Sequence, residues 1–347
     1  MKLKIQARNG SHVLDGRPDQ SILIAALGSG LDLPYACATG TCGTCKARVL
    51  SGKSTDKWPD APGKSKLNAA TNEILLCQCI PQGDCEIEVS DFVYRSDIGA
   101  LYPVTLDGVV SRWEIVAPDI ALWTVELAQP IDFNAGQFAL VSFHGTEGAR
   151  AYSMVNFARN TKELTFVTKK KPGGKLTSAL FSGNPLGKSV EVMGPLGRAV
   201  FTPSMKRNIL CIAGGSGIAG MMSILDRASQ ERYFEQFKGY WFFGVRSMRD
   251  AFFLRELTEF KRHNGKNLEI VVGLSEGAAS GEDCADYPEL VFDTGLIHEV
   301  AAKHMEGRYR NLQAYLAGPT PLVDAAIRNL VIGAKFDAKN IAYDKFS

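Results

Sequence analysis

The sequence predicts three domains in one chain: a small α+β unit at residues 1–94, an antiparallel β-barrel at 102–203, and an open α/β unit with a parallel sheet at 204–347. Three observations lead there. The 347 residues correspond to two or three domains at roughly 150 residues each. Five of the eight cysteines crowd between Cys37 and Cys79, which sets the first block apart. After residue 203 apolar strands alternate with helical stretches, where the segment before shows only strands and turns.

Composition narrows the class. Apolar residues make up 45% of the chain and charged residues 22%, so it can build packed cores and is not a disordered chain. Lys plus Arg number 39 and Asp plus Glu 37, without the basic excess that a nucleic-acid backbone demands. No window holds 18 uninterrupted apolar residues, and Met1–Gly10 is polar and charged; neither a membrane span nor a secretory signal is expected. In a cytoplasmic chain thiols stay reduced, and clustered cysteines read as metal ligands before disulfides.

The elements follow in order. Lys2–Ala7 is a strand, Asn9-Gly10 a hairpin turn, and His12–Leu14 the return. Asp19 is the expected N-cap of a helix whose apolar positions are Ile22, Leu23, Ala26 and Leu27, and Gly28-Ser29-Gly30 ends it. Ile87 and Val89 alternate with charges in a last strand, and 95–101 reads as a linker. Val104–Val110 and Leu122–Leu127 are short apolar runs of the barrel. Five strands are expected in the third block: Asn208–Ala213, Tyr240–Val245, Leu268–Val272, Gln313–Ala317 and Asn340–Tyr343, with helices on both faces.

Cys37, Cys42 and Cys45 have the spacing C-x4-C-x2-C, with Cys77 further on. That is the spacing of plant-type [2Fe–2S] clusters. Gly40 and Gly43 let backbone N–H groups approach the sulfurs. A Rieske centre needs two histidines, and none lies between residues 13 and 143. Structural zinc is the competing reading, although zinc prefers paired C-x2-C knuckles. Spacing alone leaves Cys77 and Cys79 both open as the fourth ligand.

Arg150-Ala151-Tyr152-Ser153 ends a barrel strand, and Lys169-Lys170-Lys171-Pro172-Gly173-Gly174-Lys175-Leu176-Thr177 follows. A Gly-Gly turn opening a helix offers free N–H groups to a diphosphate, and Thr177 adds a hydroxyl. Tyr152 can stack on a flat ring while Arg150 neutralises phosphate. In the third block, Gly215-Ser216-Gly217-Ile218-Ala219-Gly220 satisfies G-x-G-x-x-G between a strand and a helix, the context a dinucleotide pyrophosphate requires. Asp250, after the next strand, can hold a ribose and would repel a 2′-phosphate, which favours NADH. Arg246 and Arg249 keep NADPH open. Gly318 lies at the carboxyl end of another strand, where such sheets bind ligands.

Taken in order, C-x4-C-x2-C, R-x-Y-S with P-x-G-x-x-[ST], and G-G-[ST]-G-x-A resemble the NADH-dependent reductase components of bacterial multicomponent oxygenases, within the ferredoxin–NADP reductase superfamily. The resemblance implies a β-grasp plant-type ferredoxin domain, a β-barrel FAD domain and a Rossmann-like NAD domain. Trp58–Gly63 and Leu76-Cys77-Gln78-Cys79 are similar to reductases of toluene-type di-iron monooxygenases, in which the first cysteine of the pair is the ligand; this gives Cys77 the role. By the same resemblance Arg150, Tyr152 and Ser153 hold FAD, Tyr152 on the ring and Ser153 near N5. Gly174, Lys175 and Thr177 hold its pyrophosphate; apart from the resemblance, Lys169 of the lysine run is read as near the flavin phosphate, and Lys170 and Lys171 as solvated charge. Gly215, Ser216 and Gly217 meet the nicotinamide nucleotide, and Phe346 covers the flavin face. Two positions depart from the family pattern: Ala317 where a cysteine is usual, and Gly220 where a proline is usual.

The implied function is hydride transfer from NADH to FAD and single-electron delivery through the cluster to an oxygenase, of the di-iron type in preference to a Rieske aromatic-ring dioxygenase, in aromatic hydrocarbon breakdown. The partner is the hydroxylase or its small ferredoxin, with no nucleic acid and no membrane, and the chain is expected to be a cytoplasmic monomer. The oxygenase chemistry lies elsewhere, because no Glu-x-x-His pair occurs. His12, His144, His263, His298 and His304 form no nucleophile–base arrangement. A stand-alone NADH oxidase and a redox sensor without turnover are the competing function classes.

Overall fold

A computed structural model describes residues 1–96, 100–146 and 148–346, the side chains of Ala69, Lys175 and Phe346 excepted. Of the linker expected at 95–101, residues 97–99 lie outside this description.

The first block is a β-grasp. Strands β1 (Lys2–Ala7) and β2 (Gly10–Asp15) form the expected hairpin. Helix α1 (Ile22–Gly28) crosses the sheet and buries Ile22, Leu23, Ala25, Ala26 and Leu27. Its N-cap is Ser21, whose hydroxyl accepts from the Ile24 N–H, and not Asp19. Asp19 lies three residues before the first helical residue, Ile22, and accepts from Nε and Nη2 of Arg17. Strand β3 (Leu31–Asp32) leads into the cysteine loop. Then follow β4 (Lys46–Ser51), β5 (Ser54–Asp56), β6 (Glu73–Leu75), β7 (Cys79–Pro81), β8 (Cys85–Glu88) and β9 (Tyr94–Arg95). The main sheet has the order β2-β1-β8-β4-β6, with β1 and β8 parallel.

The second block is a curled antiparallel sheet. It comprises β10 (Val104–Ala117), β11 (Ile120–Ile131), β12 (Phe138–Phe143), β13 (Arg150–Ser153), β14 (Thr161–Lys169) and β15 (Ser189–Leu196), with helix α2 (Lys175–Ser182) between the last two. Its order is β13-β12-β15-β10-β11-β14, and a single bridge from Met154 to Phe166 joins the two edges. The runs expected as short strands are parts of two long ones, bent by bulges between Val110 and Arg112 and between Ile115 and Ala117. Trp123 is fully buried at the centre, its indole N–H donating to Thr168 at 2.8 Å.

The third block is a six-stranded parallel sheet: β16 (Asn208–Gly214), β17 (Gly239–Val245), β18 (Leu268–Leu274), β19 (Val291–Thr294), β20 (Leu312–Pro319) and β21 (Ile341–Phe346). The edge strand β19 is additional to the five expected; four residues with one charge inside them carry little periodicity. Helices α3 (Ile218–Gln230) and α4 (Leu254–Asn264) cover one face, α6 (Ile297–His304) and α7 (Thr320–Arg328) the other, and α5 (Gly281–Asp286) precedes β19. The order β19-β18-β17-β16-β20-β21 reverses between β16 and β20. Such a reversal opens a crevice at the carboxyl ends of the strands.

Candidate cofactor sites

The cysteine loop folds so that thiols meet in twos. Cys37 is pulled down to about 4 by its hydrogen bond with Cys42, whose own thiol is pushed up by the same contact. Cys45 and Cys77 stand in the same relation, Cys77 lowered and Cys45 raised. Backbone N–H groups of Thr39 and Cys42 point at the Cys37 sulfur, and that of Thr44 at the Cys42 sulfur, each at 3.4 Å. The Gln78 amide reaches Cys77 at 3.5 Å. Donors aimed at sulfur stabilise thiolates. Among the described residues, no three His, Cys, Asp or Glu side chains gather as a single metal ion would need. Two pairs of thiols, one per iron, with backbone donors at the sulfurs, fit a two-iron cluster.

The Trp58–Gly63 segment closes over the loop. Gly63 N–H donates to Gly40 C=O at 2.9 Å, and Lys66 donates to Cys42 C=O at 2.8 Å. A Cβ on Gly63 would stand 2.7 Å from that Gly40 oxygen, so the approach requires glycine. Cys79 belongs elsewhere. It is buried in β7 opposite Asp56, and burial pushes its thiol up to about 11.

On β13 the side chains alternate. Ser153 faces the same side as Phe138, its partner on β12, whereas Tyr152 pairs with Ala139. Tyr152 meets Trp123 edge-on at 5.2 Å between centroids and hydrogen bonds with Thr168. Arg150 is exposed, with a hydrogen bond only to Ala149 C=O among the described residues. Gly174 is the N-cap of α2. The Thr177 hydroxyl accepts from Lys171 N–H at 3.1 Å, so it braces the turn from within. The side chains of Lys175 and Phe346 lie outside the described residues; the Phe346 backbone pairs with Pro319.

A cavity of about 580 Å³ opens between the second and third blocks. Lys169, Lys170 and Lys171 line one wall, and Gly215, Ser216, Arg246 and Asp250 the other. Gly215 has φ +54° with open space where a Cβ would project, the arrangement of a backbone that a ligand approaches. Gly217 and Gly318 lie deeper, where the β16 turn touches the end of β20. Asp250 is not the free carboxylate that a ribose contact supposes. Arg246 donates to one of its oxygens at 3.0 Å and the Ser247 hydroxyl to the other at 2.8 Å. Burial pushes its carboxyl up, but these hydrogen bonds outweigh burial and hold it below the usual range.

Asp344 lies two residues before Phe346. It sits on β21 beside Ala317, and burial pushes its carboxyl up to about 7. Between about pH 4 and 7 the folded chain keeps a proton that the unfolded chain has released, so stability falls as pH rises through that window. Asp344→Asn is expected to raise stability above pH 7 by about 2 kcal/mol, less than the full shift implies because the side chain is half-buried. The gain should vanish below pH 4 in thermal melts; a gain independent of pH would refute the assignment.

Comparison with known proteins finds a family for each of the three blocks. Residues 7–82 match a 2Fe-2S iron-sulfur cluster binding domain, residues 107–201 an oxidoreductase FAD-binding domain, and residues 211–328 an oxidoreductase NAD-binding domain. The chain belongs to the ferredoxin–NAD(P)+ reductase components of multicomponent monooxygenases and dioxygenases, and its cofactors are the [2Fe–2S] cluster, FAD and NADH. The ferredoxin–NAD+ reductase component of the alkene monooxygenase system of Xanthobacter autotrophicus is 31% identical, over 95% of this chain and 96% of its own. The reductase component of a Pseudomonas phenol 2-monooxygenase is 29% identical over 100% and 95%. The ferredoxin reductase in carbazole 1,9a-dioxygenase is 29% identical and superposes with a TM-score of 0.82, covering 100% of this chain and 99% of its own.

Proposed function

We propose that this reductase serves a di-iron monooxygenase, passing it electrons singly from NADH. The cluster-binding domain match over residues 7–82, with backbone N–H groups aimed at the Cys37 and Cys42 sulfurs, carries the electron-transfer reading. The sequence of Trp58–Gly63 with Leu76-Cys77-Gln78-Cys79, similar to that of toluene-type reductases, favours the di-iron partner. Bound FAD takes a hydride's two electrons and the cluster carries one at a time, which is the chemistry these groups supply. The chain's own residues bind and orient. Cys37, Cys42, Cys45 and Cys77 hold the cluster, with backbone N–H groups offsetting its charge. Arg150, Gly174, Lys175, Thr177 and Lys169 hold the flavin phosphates, Tyr152 and Phe346 its ring, and Ser153 its N5 edge. Gly215, Ser216, Gly217 and Gly318 admit the nicotinamide nucleotide.

Arg246 and Asp250 together set the nucleotide preference. Asp250→Asn frees Arg246 for a 2′-phosphate and is expected to lower the NADPH-to-NADH KM ratio about tenfold, the worth of one charge-assisted contact. An unchanged ratio in steady-state assays would remove the pair from the ribose site.

A Rieske dioxygenase partner is the second reading, favoured by the superposition on the carbazole dioxygenase reductase. Anaerobic reduction with NADH, followed by mixing with a di-iron hydroxylase, a Rieske ferredoxin and a Rieske oxygenase, separates the two. Fast reoxidation by the hydroxylase alone is expected; preference for either Rieske protein overturns the di-iron reading. No described helix is long and apolar enough to cross a membrane. We place the chain in the cytoplasm as a monomer, to be checked by fractionation and by solution mass.

A further inference from the structure

The first block and the flavin-binding sheet share one apolar contact. Along β12, Ala139, Val141 and Phe143 point into the core of the curled sheet, whereas Phe138 and Leu140 join the core of the first block, as does Leu196 of β15. This contact supplies adhesion but no register, because apolar burial is non-directional.

Register comes from polar contacts that converge on Gly197 and Arg198, just past β15. Gly197 N–H donates to the Tyr35 hydroxyl at 2.8 Å. Arg198 donates to the Asp32 carboxylate at 2.5 Å and to Leu33 C=O at 2.6 Å. Its guanidinium also lies 5.4 Å from the centroid of the Tyr35 ring. Gly197 has φ +102°, and a Cβ there would fall 2.9 Å from the Phe138 ring. Only glycine presents this N–H to Tyr35.

The contact joins two places that matter. Tyr35 stands two residues before Cys37. On the other side, Leu196 pairs with Phe138, and Phe138 pairs with Ser153. Ser153 is therefore two strand steps away, at about 4.8 Å each.

We propose that Tyr35 and Arg198 are positioning residues that latch the cluster loop against the flavin-bearing sheet and so set the rate of electron transfer between them. The proposal rests on the placement of the cluster on Cys37 and of the flavin beside Ser153. In the step concerned, one electron leaves the reduced flavin and one ferric iron of the cluster becomes ferrous. The second electron follows after the cluster has passed the first to its acceptor. The Arg198–Asp32 pair is half-exposed, and such pairs add little stability. Its effect is geometric.

The test is anaerobic stopped-flow mixing of the holoprotein with NADH, following flavin bleaching and cluster bleaching separately, together with amide hydrogen exchange across residues 31–36. The variants are Tyr35→Phe, Arg198→Met, the two combined, and Arg198→Lys. Flavin bleaching should stay within about twofold of the parent, while cluster bleaching in the double variant slows at least about tenfold, since small misplacements cost factors of this size. Exchange across 31–36 should quicken, and Arg198→Lys should recover part of the rate by keeping the Asp32 pair. Unchanged cluster bleaching or unchanged exchange in the double variant overturns the proposal. So does flavin bleaching that slows in parallel, which would make the contact part of flavin binding. Failure of the parent itself to bleach cluster after flavin would instead sink the placement on which the proposal rests.

Discussion

Cys77→Ser is expected to strip the protein of its cluster, while Cys79→Ser leaves it in place. The two thiols are two positions apart and both buried, so neither spacing nor burial separates them. Their surroundings do. The Cys77 sulfur meets Cys45 and receives the Gln78 amide, so its anionic form has donors. Cys79 faces Asp56 across β5 and β7, and burial pushes its thiol up to about 11. Its side-chain hydrogen bond is with Ser54, outside the two thiol pairs that the loop brings together. Cys77→Ser should lose iron, acid-labile sulfide and the visible cluster bands. Electron delivery to a one-electron acceptor should fall at least about a hundredfold, since loss of mere supporting groups already costs up to that much. Flavin reduction by NADH should persist, because the flavin and nucleotide residues lie on other strands. Cys79→Ser should keep the bands at a small cost in stability. The reverse pattern of iron content would exchange the two roles.

What the sequence reveals and what it hides divide along physical lines. The C-x4-C-x2-C spacing and the glycine turn after β16 are legible because both are short-range: chemistry and backbone conformation fix them within a few residues. The helix at Ile22–Gly28 is legible from its apolar period, but its cap is not. Asp19 and Ser21 are both good cap residue types, and residue type alone does not tell which of them stands directly before the first helical turn. Strand β19 is too short for a periodic signal. The occupied state of Asp250 depends on whether Arg246 turns inward, which residue type does not disclose. The Tyr35–Gly197 contact joins residues 162 apart. Only the docking of one block on another creates it, and no local pattern announces it.

The second large effect is expected at Gly217. Its Cα position abuts the end of β20: a Cβ would stand 2.5 Å from Ala317 O, 2.6 Å from Ala317 C and 2.8 Å from Gly318 N. These are backbone atoms of a central strand, so they cannot swing aside as a side chain would. Gly217→Ala must push the β16–α3 turn away from β20, at a cost of about 1–3 kcal/mol for overpacking. The same movement displaces Gly215 and Ser216 along the cavity wall. The KM for NADH should rise at least about thirtyfold, the kinetic equivalent of roughly 2 kcal/mol of binding, and the melting temperature should fall in parallel. Gly215→Ala separates the two effects. There a Cβ meets nothing, so the core is untouched, but the methyl enters the cavity and the left-handed φ costs about 1–2 kcal/mol. NADH binding should weaken more than folding. Gly220→Ala is the control, its Cβ being 3.5 Å from Gly136 O and from Ser153 Cβ, an ordinary contact. It should raise stability by up to about 1 kcal/mol through helix propensity and leave NADH binding alone. If Gly217→Ala proves as harmless as Gly220→Ala, the close approach of the β16 turn to β20 does not shape the nucleotide site.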